Sequence, residues 1–376
     1  TSFPLNFSGS RSDFDVNFNP ISIERTLRKE KFDILHFHNF GVPSIFQILN
    51  SPAASKTLNI LTFHSNIEGS QFLKRFPIFL YLLNKICQWK IDGIIGVAPL
   101  TLKVFKGFKK PMAVIPNGID LKQFNPQVPK LRTPPFNKKG VNLFDKLRVN
   151  PEQGRRINIL FVGRIEKRKG LIYLLKAYRL LEKTPFFKQK GGVRLIIIGE
   201  GKLKKDCESY VRKNDLKEVY FKGEVVGQEL PPYYASCDIF CSPAIFGESF
   251  GLVLLEAMAS GIPVVAFANE GYKELLQGKK GERFLVRNRN FKELAEKLEI
   301  LINNENLRKE MGEWGLKEVQ NYSWPKVTSQ VLDFYQLCQK FKQKQKGERK
   351  NFYLDKIFKK VYNKNILNWL KWPNRK

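Results

Sequence analysis

The chain has 376 residues, which is long enough for two domains that each bury a hydrophobic core. Its formal net charge of +30 predicts a polyanionic partner, of which a nucleic acid, an anionic membrane and an acidic substrate are the candidates. The presence of only three histidines argues against a histidine-based metal site, and the five cysteines, which lack C-x-x-C spacing, predict reduced thiols in the cytosol.

The first predicted domain covers residues 1–120. A polar stretch and a short helix over 22–31 lead into two buried strands, over 33–39 and 59–65, each of which ends in polar residues. The order strand, helix, strand predicts a parallel sheet. Ligands of such sheets bind beyond the carboxyl ends of the strands, so this edge of the sheet is the expected site.

A histidine lies at the end of each of these strands. His38 follows the first strand and His64 follows the second, within the sequence T-F-H-S. A single histidine at a strand end is often structural, and for His38 the structural and the functional interpretation are both open.

Residues 70–91 form a predicted helical stretch that is both aromatic and basic. A helix that is apolar on most sides is normally buried in a core. The longest apolar run of the chain, near 77–83, is too short to span a bilayer. The basic residues of the stretch are Lys74, Arg75, Lys85 and Lys90.

Two further strands, over 92–97 and 113–116, are predicted to complete the domain, which ends in the P-N-G-I-D turn up to Asp120. The following segment, 121–156, is rich in proline and basic residues and shows no periodic pattern. It is predicted to be a basic linker or mobile insertion between the domains.

The second predicted domain, 157–323, opens with a strand over 157–162 and the turn G-R-I-E-K-R-K-G. A helix of period 3.6 follows from Leu171. In this turn Arg164 offers a forked pair of hydrogen-bond donors and Lys169 offers a point charge. The start of the helix adds a third positive electrostatic field, and the three together suit a diphosphate. The alternative is that these basic side chains are only solvated.

The stretch Phe246 to Gly261 is predicted to be a loop that runs into a buried helix, with Ser249 as the helix cap. The backbone N–H groups of Ser249, Phe250 and Gly251 would then face an anion such as a diphosphate. Glu256 lies on the order of 10 Å further along the helix, which is the reach from a diphosphate to a ribose. The alternative, a salt bridge on a solvated face, is disfavoured by its apolar neighbours.

After the strand at 264–266, residues 269–271 are predicted to lie in a loop and residues 291–338 to be helical. The last segment, 341–376, carries twelve basic and two acidic residues, and its apolar residues recur on one helical face. This basic amphipathic tail is predicted to lie on an anionic membrane surface. Packing on the first domain and a disordered end are the alternatives.

The motif G-E-S-F-G-x-x-x-x-E-A-M-A-x-G-x-P-V, with Glu248 and Glu256 eight positions apart, resembles the donor-site signature of retaining group 1 glycosyltransferases. Within that class the chain is most similar to the phosphatidylinositol mannosyltransferases, from about Asp33 to about Gln339. The resemblance implies an α/β GT-B fold, in which two Rossmann-like parallel-sheet domains face a cleft. It also implies that the first domain is N-terminally truncated and that a helix over 324–340 crosses back to it.

The activity implied by the resemblance is transfer of mannose or a related hexose from a GDP- or UDP-sugar to an acceptor hydroxyl on a lipid or glycan. Retention of the anomeric configuration, no metal and no cofactor are expected. His64 would act on the transferred sugar, Arg164 and Lys169 would hold the diphosphate, and Glu248 and Glu256 would hold the sugar hydroxyls and the ribose. The remaining expected donor-binding residues are Gly163, Ser249, Phe250 and Gly251.

The expected location is cytoplasmic, peripheral on the inner face of the cell membrane. Two alternatives are a nucleic-acid-binding protein that uses the basic surface and a catalytically inactive GT-B relative. The ordered motifs of the chain belong to a diphosphate site rather than to interleaved basic and stacking residues, so no nucleic-acid partner is expected. The intact Arg164, Lys169, Glu248 and Glu256 argue against an inactive relative.

Overall fold

The structure is a computed structural model that describes residues 2–7, 10–15, 20–39, 43–66, 77–129, 156–184, 187 and 192–346. Its strands in chain order are β1 Ser2–Phe7, β2 Ser10–Asp15, β3 Ile34–His38, β4 Leu58–Phe63, β5 Gly93–Gly96, β6 Met112–Val114, β7 Ile157–Val162, β8 Val193–Ile198, β9 Val219–Gly223, β10 Ile239–Ser242, β11 Val264–Phe267 and β12 Leu285–Val286. Its helices are α1 Pro20–Glu30, α2 Pro43–Asn50, α3 Pro77–Lys90, α4 Pro99–Leu102, α5 Leu171–Leu181, α6 Lys204–Lys213, α7 Pro231–Ala235, α8 Leu252–Ala259, α9 Glu270–Leu276, α10 Phe291–Asn303, α11 Glu305–Glu318 and α12 Trp324–Lys346.

The first domain contains a parallel sheet in the order β3-β4-β5-β6. Strand β4 is buried along its whole length, as its apolar sequence predicts, because helices cover both faces of such a sheet. The helices α2 and α3 pack on one face of the sheet and bury Leu49, Leu83 and Cys87 with Leu61. The predicted parallel pairing of the two strands that precede His38 and His64 is confirmed.

The second domain contains a larger parallel sheet in the order β12-β11-β10-β7-β8-β9. Strand β7 lies in the middle of this order, and strand order reverses beside it. The turns after β7 and β10 therefore open at the same edge of the sheet, at a topological switch point. The predicted α/β architecture of two parallel-sheet domains is confirmed.

Two predictions of local structure were wrong. Residues 269–271 do not form a loop, because Asn269 caps α9 by accepting a hydrogen bond from the Tyr272 N–H at 3.0 Å. The strands β1 and β2, which pair antiparallel, were not predicted in the polar N-terminal stretch. In addition, Phe124 packs into the core of the second domain against Tyr234, although it falls in the predicted linker.

Helix α12 packs on the first sheet although it follows the second domain in the chain. Val327, Phe334 and Cys338 lie in one cluster with Leu58 and Ile60 of β4. At the far end of the contact, Lys342 Nζ donates to Asp92 Oδ2 at 2.6 Å. The helix thus ties the end of the described chain to the first domain.

Two predicted features lie wholly or partly outside the described residues. The predicted tail 341–376 is described only to Lys346, and most of the predicted linker, 130–155, is not described. Among the residues that are described, no helix is at once long and apolar enough to cross a bilayer.

The contact between Gly93 and α12 generates the first prediction. A Cβ at Gly93 would overlap Cys338 Sγ and lie 3.0 Å from the Phe334 ring. We expect Gly93→Ala to lower the free energy of unfolding by about 1–3 kcal/mol, as overpacking does, measured by urea unfolding. In a double-mutant cycle, Cys338→Ala should recover part of this loss, and strictly additive effects would contradict the proposed contact.

Candidate functional site

The candidate site lies where the carboxyl edges of the two sheets face each other. Strand β4 is followed by His64, Ser65 and Asn66, and β10 leads into the motif that contains Glu248. Asn66 Nδ2 donates a hydrogen bond to the Glu248 carbonyl oxygen at 3.3 Å, so the two edges are in contact here. The predicted site residues of both domains therefore line one cleft.

All three histidines of the chain form one stack on the first-domain wall of this cleft. The ring centroids of His36 and His38 are 4.6 Å apart, and those of His38 and His64 are 5.2 Å apart. His38 Nδ1 and His64 Nε2 share a hydrogen bond of 2.9 Å. The His36 ring is held by the Thr62 hydroxyl at 2.6 Å and by the Tyr335 hydroxyl of α12 at 2.5 Å.

The histidine stack is uncharged at neutral pH. Burial, together with the smaller effects of His38 and His64, lowers the pKa of His36 to about 3. Burial and the proximity of His38 lower the pKa of His64 to about 4, against an opposing hydrogen bond with Asn117. Burial also lowers the pKa of His38, which is stacked between the other two rings and is more exposed than they are. His64 thus meets the cleft as a neutral imidazole, which both donates and accepts hydrogen bonds.

The turn after β7 brings three cations toward the motif. It forms a short 3₁₀ segment, Lys167–Lys169, and ends at Gly170 with φ of 69°. A Cβ at Gly170 would overlap the carbonyl oxygen of Pro243, so glycine is required for this close approach. The Lys169 side chain runs past Gly163, where a Cβ would stand 3.6 Å from it.

The carboxylate of Glu248 is 9% exposed and is held by two cations. Its Oε1 accepts from Lys169 Nζ at 2.8 Å and from Arg168 Nη1 at 2.9 Å. Arg168 also contacts Glu166 at 3.2 Å, and Glu166 contacts Arg164 at 3.5 Å. Arg164 differs from Lys169 in exposure, because its side chain is 45% exposed and that of Lys169 is 12% exposed.

Sequence analysis missed Arg168. It stands in a run of three basic residues, of which only Lys169 was assigned to the site. The 3₁₀ geometry of the turn directs the Arg168 and Lys169 side chains to the same carboxylate oxygen. The only sequence signal was the basic run itself, which does not distinguish inward from outward side chains.

The motif helix starts later than predicted, and Ser249 does not cap it. Helix α8 begins at Leu252 after Gly251, which has a φ of 109°, and no side chain caps it. A Cβ at Gly251 would lie 2.8 Å from the Tyr272 ring, so the chain turns tightly against α9. Phe250 is buried and its ring packs edge-on against Tyr322 at 5.7 Å. Only backbone atoms of Phe250 and Gly251 are therefore suited to contact a ligand.

Glu256 is partly buried rather than on a solvated face. The Tyr234 hydroxyl donates to Glu256 Oε2 at 2.7 Å. Burial raises the pKa of Glu256 to about 6, against the opposing effects of the Tyr234 hydrogen bond and of Lys169. The alternative interpretation of Glu256 as a surface ion-pair residue is thus not supported by its surroundings.

No group of three or more histidine, cysteine, aspartate or glutamate side chains is arranged to hold a metal ion within the part of the chain that the structure describes. The charged groups of the cleft are instead Arg164, Arg168 and Lys169 with the carboxylates Glu166 and Glu248. Glu256, which is partly buried near Lys169, adds a third carboxylate, so the cations and carboxylates of the site balance. The three cations are grouped at the turn, where they would offer N–H donors to an anionic group that is bound between the turn and the motif.

Two family models match the chain in succession. A model described as Glycosyltransferase Family 4 matches residues 3–123, which include His64. A model described as Glycosyl transferases group 1 matches residues 144–318, which include the turn and the motif. The two matches together take in all of the predicted site residues.

Individual relatives agree with these matches. The chain is 29% identical over 346 residues to the phosphatidyl-myo-inositol mannosyltransferase of Mycobacterium leprae, which covers 89% of this chain and 81% of the relative. A glycosyltransferase structure from Rickettsia africae has a TM-score of 0.64 at 19% identity, covering 88% of this chain and 85% of that one. The S. aureus TarM structure has a TM-score of 0.61 at 19% identity over 86% of this chain, which spans about three fifths (59%) of the TarM chain. The structural likenesses confirm the expected GT-B fold.

The histidine stack generates the second prediction. Histidines whose pKa values are depressed from 6.5 by folding contribute stability that is present above pH 6.5 and is lost as the pH falls toward 4. We expect the free energy of unfolding, measured with urea, to fall between pH 7 and pH 5 by an amount on the order of 1 kcal/mol that is due to His36 alone. The variant His36→Asn should not show this part of the loss.

His38→Asn, at the more exposed middle ring of the stack, is the matched control and should change the pH dependence less. Glu256 acts in the opposite direction between pH 4.5 and 6, because folding raises its pKa. Both histidine variants retain Glu256, so its effect cancels in the comparison. An unchanged pH dependence in His36→Asn would contradict the buried, neutral state of His36.

Proposed function

We propose, from the premise that the chain belongs to the group 1 glycosyltransferases, that it transfers a hexose from a nucleotide diphosphate sugar to an acceptor hydroxyl with retention of the anomeric configuration. The observation that carries the proposal is the turn whose Arg168 and Lys169 close on Glu248, with Arg164 linked to them through Glu166 and His64 on the other domain. We place the diphosphate of the donor at this turn. The name of the mycobacterial relative supports mannose, or a related hexose, as the sugar.

The cationic turn would stabilise the leaving diphosphate. Negative charge grows on the diphosphate as the bond to the sugar breaks, and fixed positive groups that already face it lower the barrier. Lys169 is oriented by Glu248, and Arg164 extends toward solvent at the mouth of the turn. The proposed mechanism uses these charges and no metal.

The two carboxylates would bind different parts of the donor. Glu248 lies beside the cations and would accept hydrogen bonds from the sugar hydroxyls. Glu256 lies further along α8, where the Tyr234 hydroxyl fixes its orientation, and would accept from the ribose. The nucleotide base is left open between guanine and uracil, because the proposal rests on the diphosphate, the ribose and the sugar.

The acceptor would enter from the first-domain wall. His64 is neutral at pH 7 and is oriented by its hydrogen bond with His38. Its imidazole would therefore contact the transferred sugar as an uncharged group, which neither repels a cation nor attracts the diphosphate. We propose a lipid or glycan acceptor at the membrane surface, in line with the lipid named in the mycobacterial relative. A cytoplasmic enzyme that is peripheral on the inner face of the membrane is part of the same proposal.

The third prediction tests the diphosphate site. Arg164→Ala should reduce kcat/KM at least about a hundredfold, because it removes a charge that faces the leaving group but little buried volume. Lys169→Met should have a similar effect, and it keeps the length of the side chain beside Gly163. The measurement is transfer or donor hydrolysis with a panel of GDP- and UDP-sugars and a lipid extract, followed by mass spectrometry.

The matched control is Lys167→Ala, in the same turn and exposed to solvent. It changes the net charge by the same amount and should retain most of the activity. If Lys167→Ala and Arg164→Ala lose activity equally, general charge and not a diphosphate site explains the effect. If both Arg164→Ala and Lys169→Met retain wild-type kcat/KM, the assignment of the site is wrong.

The fourth prediction follows from the raised pKa of Glu256. A carboxylate with a pKa of about 6 becomes protonated below that pH and then accepts fewer hydrogen bonds from the ribose. We expect the donor KM to rise about fourfold between pH 8 and pH 5.5, the factor for titration of a single group. The donor KM of Glu256→Gln should be higher and independent of pH. A parallel pH profile in the two proteins would assign the titration to another group.

A further inference from the structure

His38 lies at the cleft edge of the first sheet. It is the last residue of β3, where it pairs with Thr62 of β4, and it is exposed to solvent. Because β3 and β4 are parallel, His38 ends at the same edge of the sheet as His64, which is where ligands of parallel sheets bind. From the sequence alone a structural and a functional role of His38 are both open.

The two neighbouring histidines fix the His38 ring. It is stacked between His36, with 4.6 Å between the ring centroids, and His64, with 5.2 Å. Its Nδ1 shares a hydrogen bond of 2.9 Å with His64 Nε2. His36 itself is held at both of its ring nitrogens, by the hydroxyls of Tyr335 and Thr62. The orientation of the His38 ring is therefore set before any ligand binds.

The second ring nitrogen of His38 is available to a ligand. In the part of the chain that the structure describes, the only hydrogen bond of the His38 ring is the one from Nδ1 to His64. An imidazole has two polar atoms, so Nε2 is the polar atom that this exposed ring offers to the cleft.

The shared hydrogen bond determines what each ring offers. A neutral imidazole carries one N–H, and the bond between His38 and His64 uses one N–H of the pair. When His38 Nδ1 donates, His38 Nε2 is a hydrogen-bond acceptor and the hydrogen of His64 is on Nδ1. When His64 Nε2 donates, these roles are exchanged. In the first tautomer a hydroxyl group can donate to His38 Nε2 and keep the lone pairs of its oxygen free to attack a sugar.

The position of His38 distinguishes an acceptor from the transferred sugar. The His64 N–H donates to Asn39 Oδ1 at 2.9 Å, and Asn66, two residues after His64, donates to the Glu248 carbonyl oxygen at 3.3 Å. His64 thus belongs to the loop that touches the motif, whereas His38 lies one strand, or about 5 Å, further away. A ligand group at His38 is therefore beyond a sugar that is bound between His64 and Glu248.

We propose that His38 binds the acceptor substrate, by accepting a hydrogen bond at Nε2 from the hydroxyl that receives the sugar. The hydrogen bond to His64 orients the His38 ring for this contact, and the two rings act as one unit in which His64 contacts the sugar and His38 the acceptor. This inference rests on the proposed function, because it requires a transferred hexose at His64.

Nuclear magnetic resonance tests the unit without any measurement of activity. The chain has three histidines, so labelling them with nitrogen-15 gives few signals to assign in the full chain. At pH 7 we expect a scalar coupling between His38 Nδ1 and His64 Nε2 across their hydrogen bond, and no such coupling in His38→Ala. Absence of the coupling in the wild type would overturn the paired arrangement on which the proposal depends.

Transfer kinetics test the acceptor contact. His38→Asn keeps a polar atom near the position of Nδ1, where it can bond to His64, but has none at the position of Nε2. We expect it to raise the apparent KM for the lipid extract about tenfold, the loss of one hydrogen bond, and to leave the donor KM unchanged. His38→Gln places an amide near the position of Nε2 and should recover most of this loss. The control Ser55→Ala removes an exposed hydroxyl before β4, at the opposite edge of the same sheet, and should change neither KM.

Donor binding separates this inference from the proposed function. Calorimetry with the GDP- or UDP-sugar preferred by the wild type, and hydrolysis of that donor by water, need no acceptor, so His38→Asn should retain both. The acceptor role is overturned, with the proposed function intact, if His38→Asn keeps the wild-type acceptor KM, raises the donor KM equally, or is matched by His38→Gln. A wild type that neither binds nor hydrolyses any donor would contradict the proposed function and the acceptor role together.

Discussion

The second-domain half of the cleft depends on the nearly buried carboxylate of Glu248. A charge that is removed from water costs several kcal/mol unless it is paired and hydrogen-bonded, and here Lys169 and Arg168 supply both partners. The pairing requires the turn after β7 to lie against the motif after β10. This close approach needs a glycine at position 170, because a Cβ there would overlap the carbonyl oxygen of Pro243. The same ion pairs that hold the second domain together at this edge thus assemble its positively charged site.

The relation between the two halves depends on a second, smaller set of contacts. The chain crosses between the domains twice, and the crossings are adjacent, because the Ile119 N–H donates to the Tyr322 carbonyl oxygen at 2.9 Å. At the same place Gly118 lies against Trp324, where a Cβ would be 2.5 Å from the indole. Since both crossings are at one point, small changes in their backbone angles would rotate one domain as a body. Closure of the cleft over a donor is expected to use this point as its hinge.

Sequence reasoning succeeded where the signal is local. The buried strands β4 and β8 are continuous apolar runs, and α5 follows a clear 3.6 period, so both sheets and their order along the chain were predictable. The assignments that failed depend on contacts distant in sequence. The start of α8 is set by the approach of Gly251 to Tyr272, and the inward direction of Arg168 by the contact of Gly170 with Pro243. The capping signal of Asn269 was present in the sequence and was overlooked.

The two walls of the cleft differ in charge, and this difference bears on the direction of the proposed reaction. The first-domain wall presents a histidine stack that is neutral at pH 7, because burial lowers the pKa values of His36 and His64. The second-domain wall presents three cations, grouped at the turn, and the carboxylates Glu166, Glu248 and Glu256. The proposed diphosphate would therefore meet its cationic partners on this wall, both before and after the bond to the sugar breaks. The sugar between the walls would thus separate from a diphosphate that stays bound to the second domain. It would meet the acceptor at the first-domain wall, which is uncharged and does not compete for the phosphates.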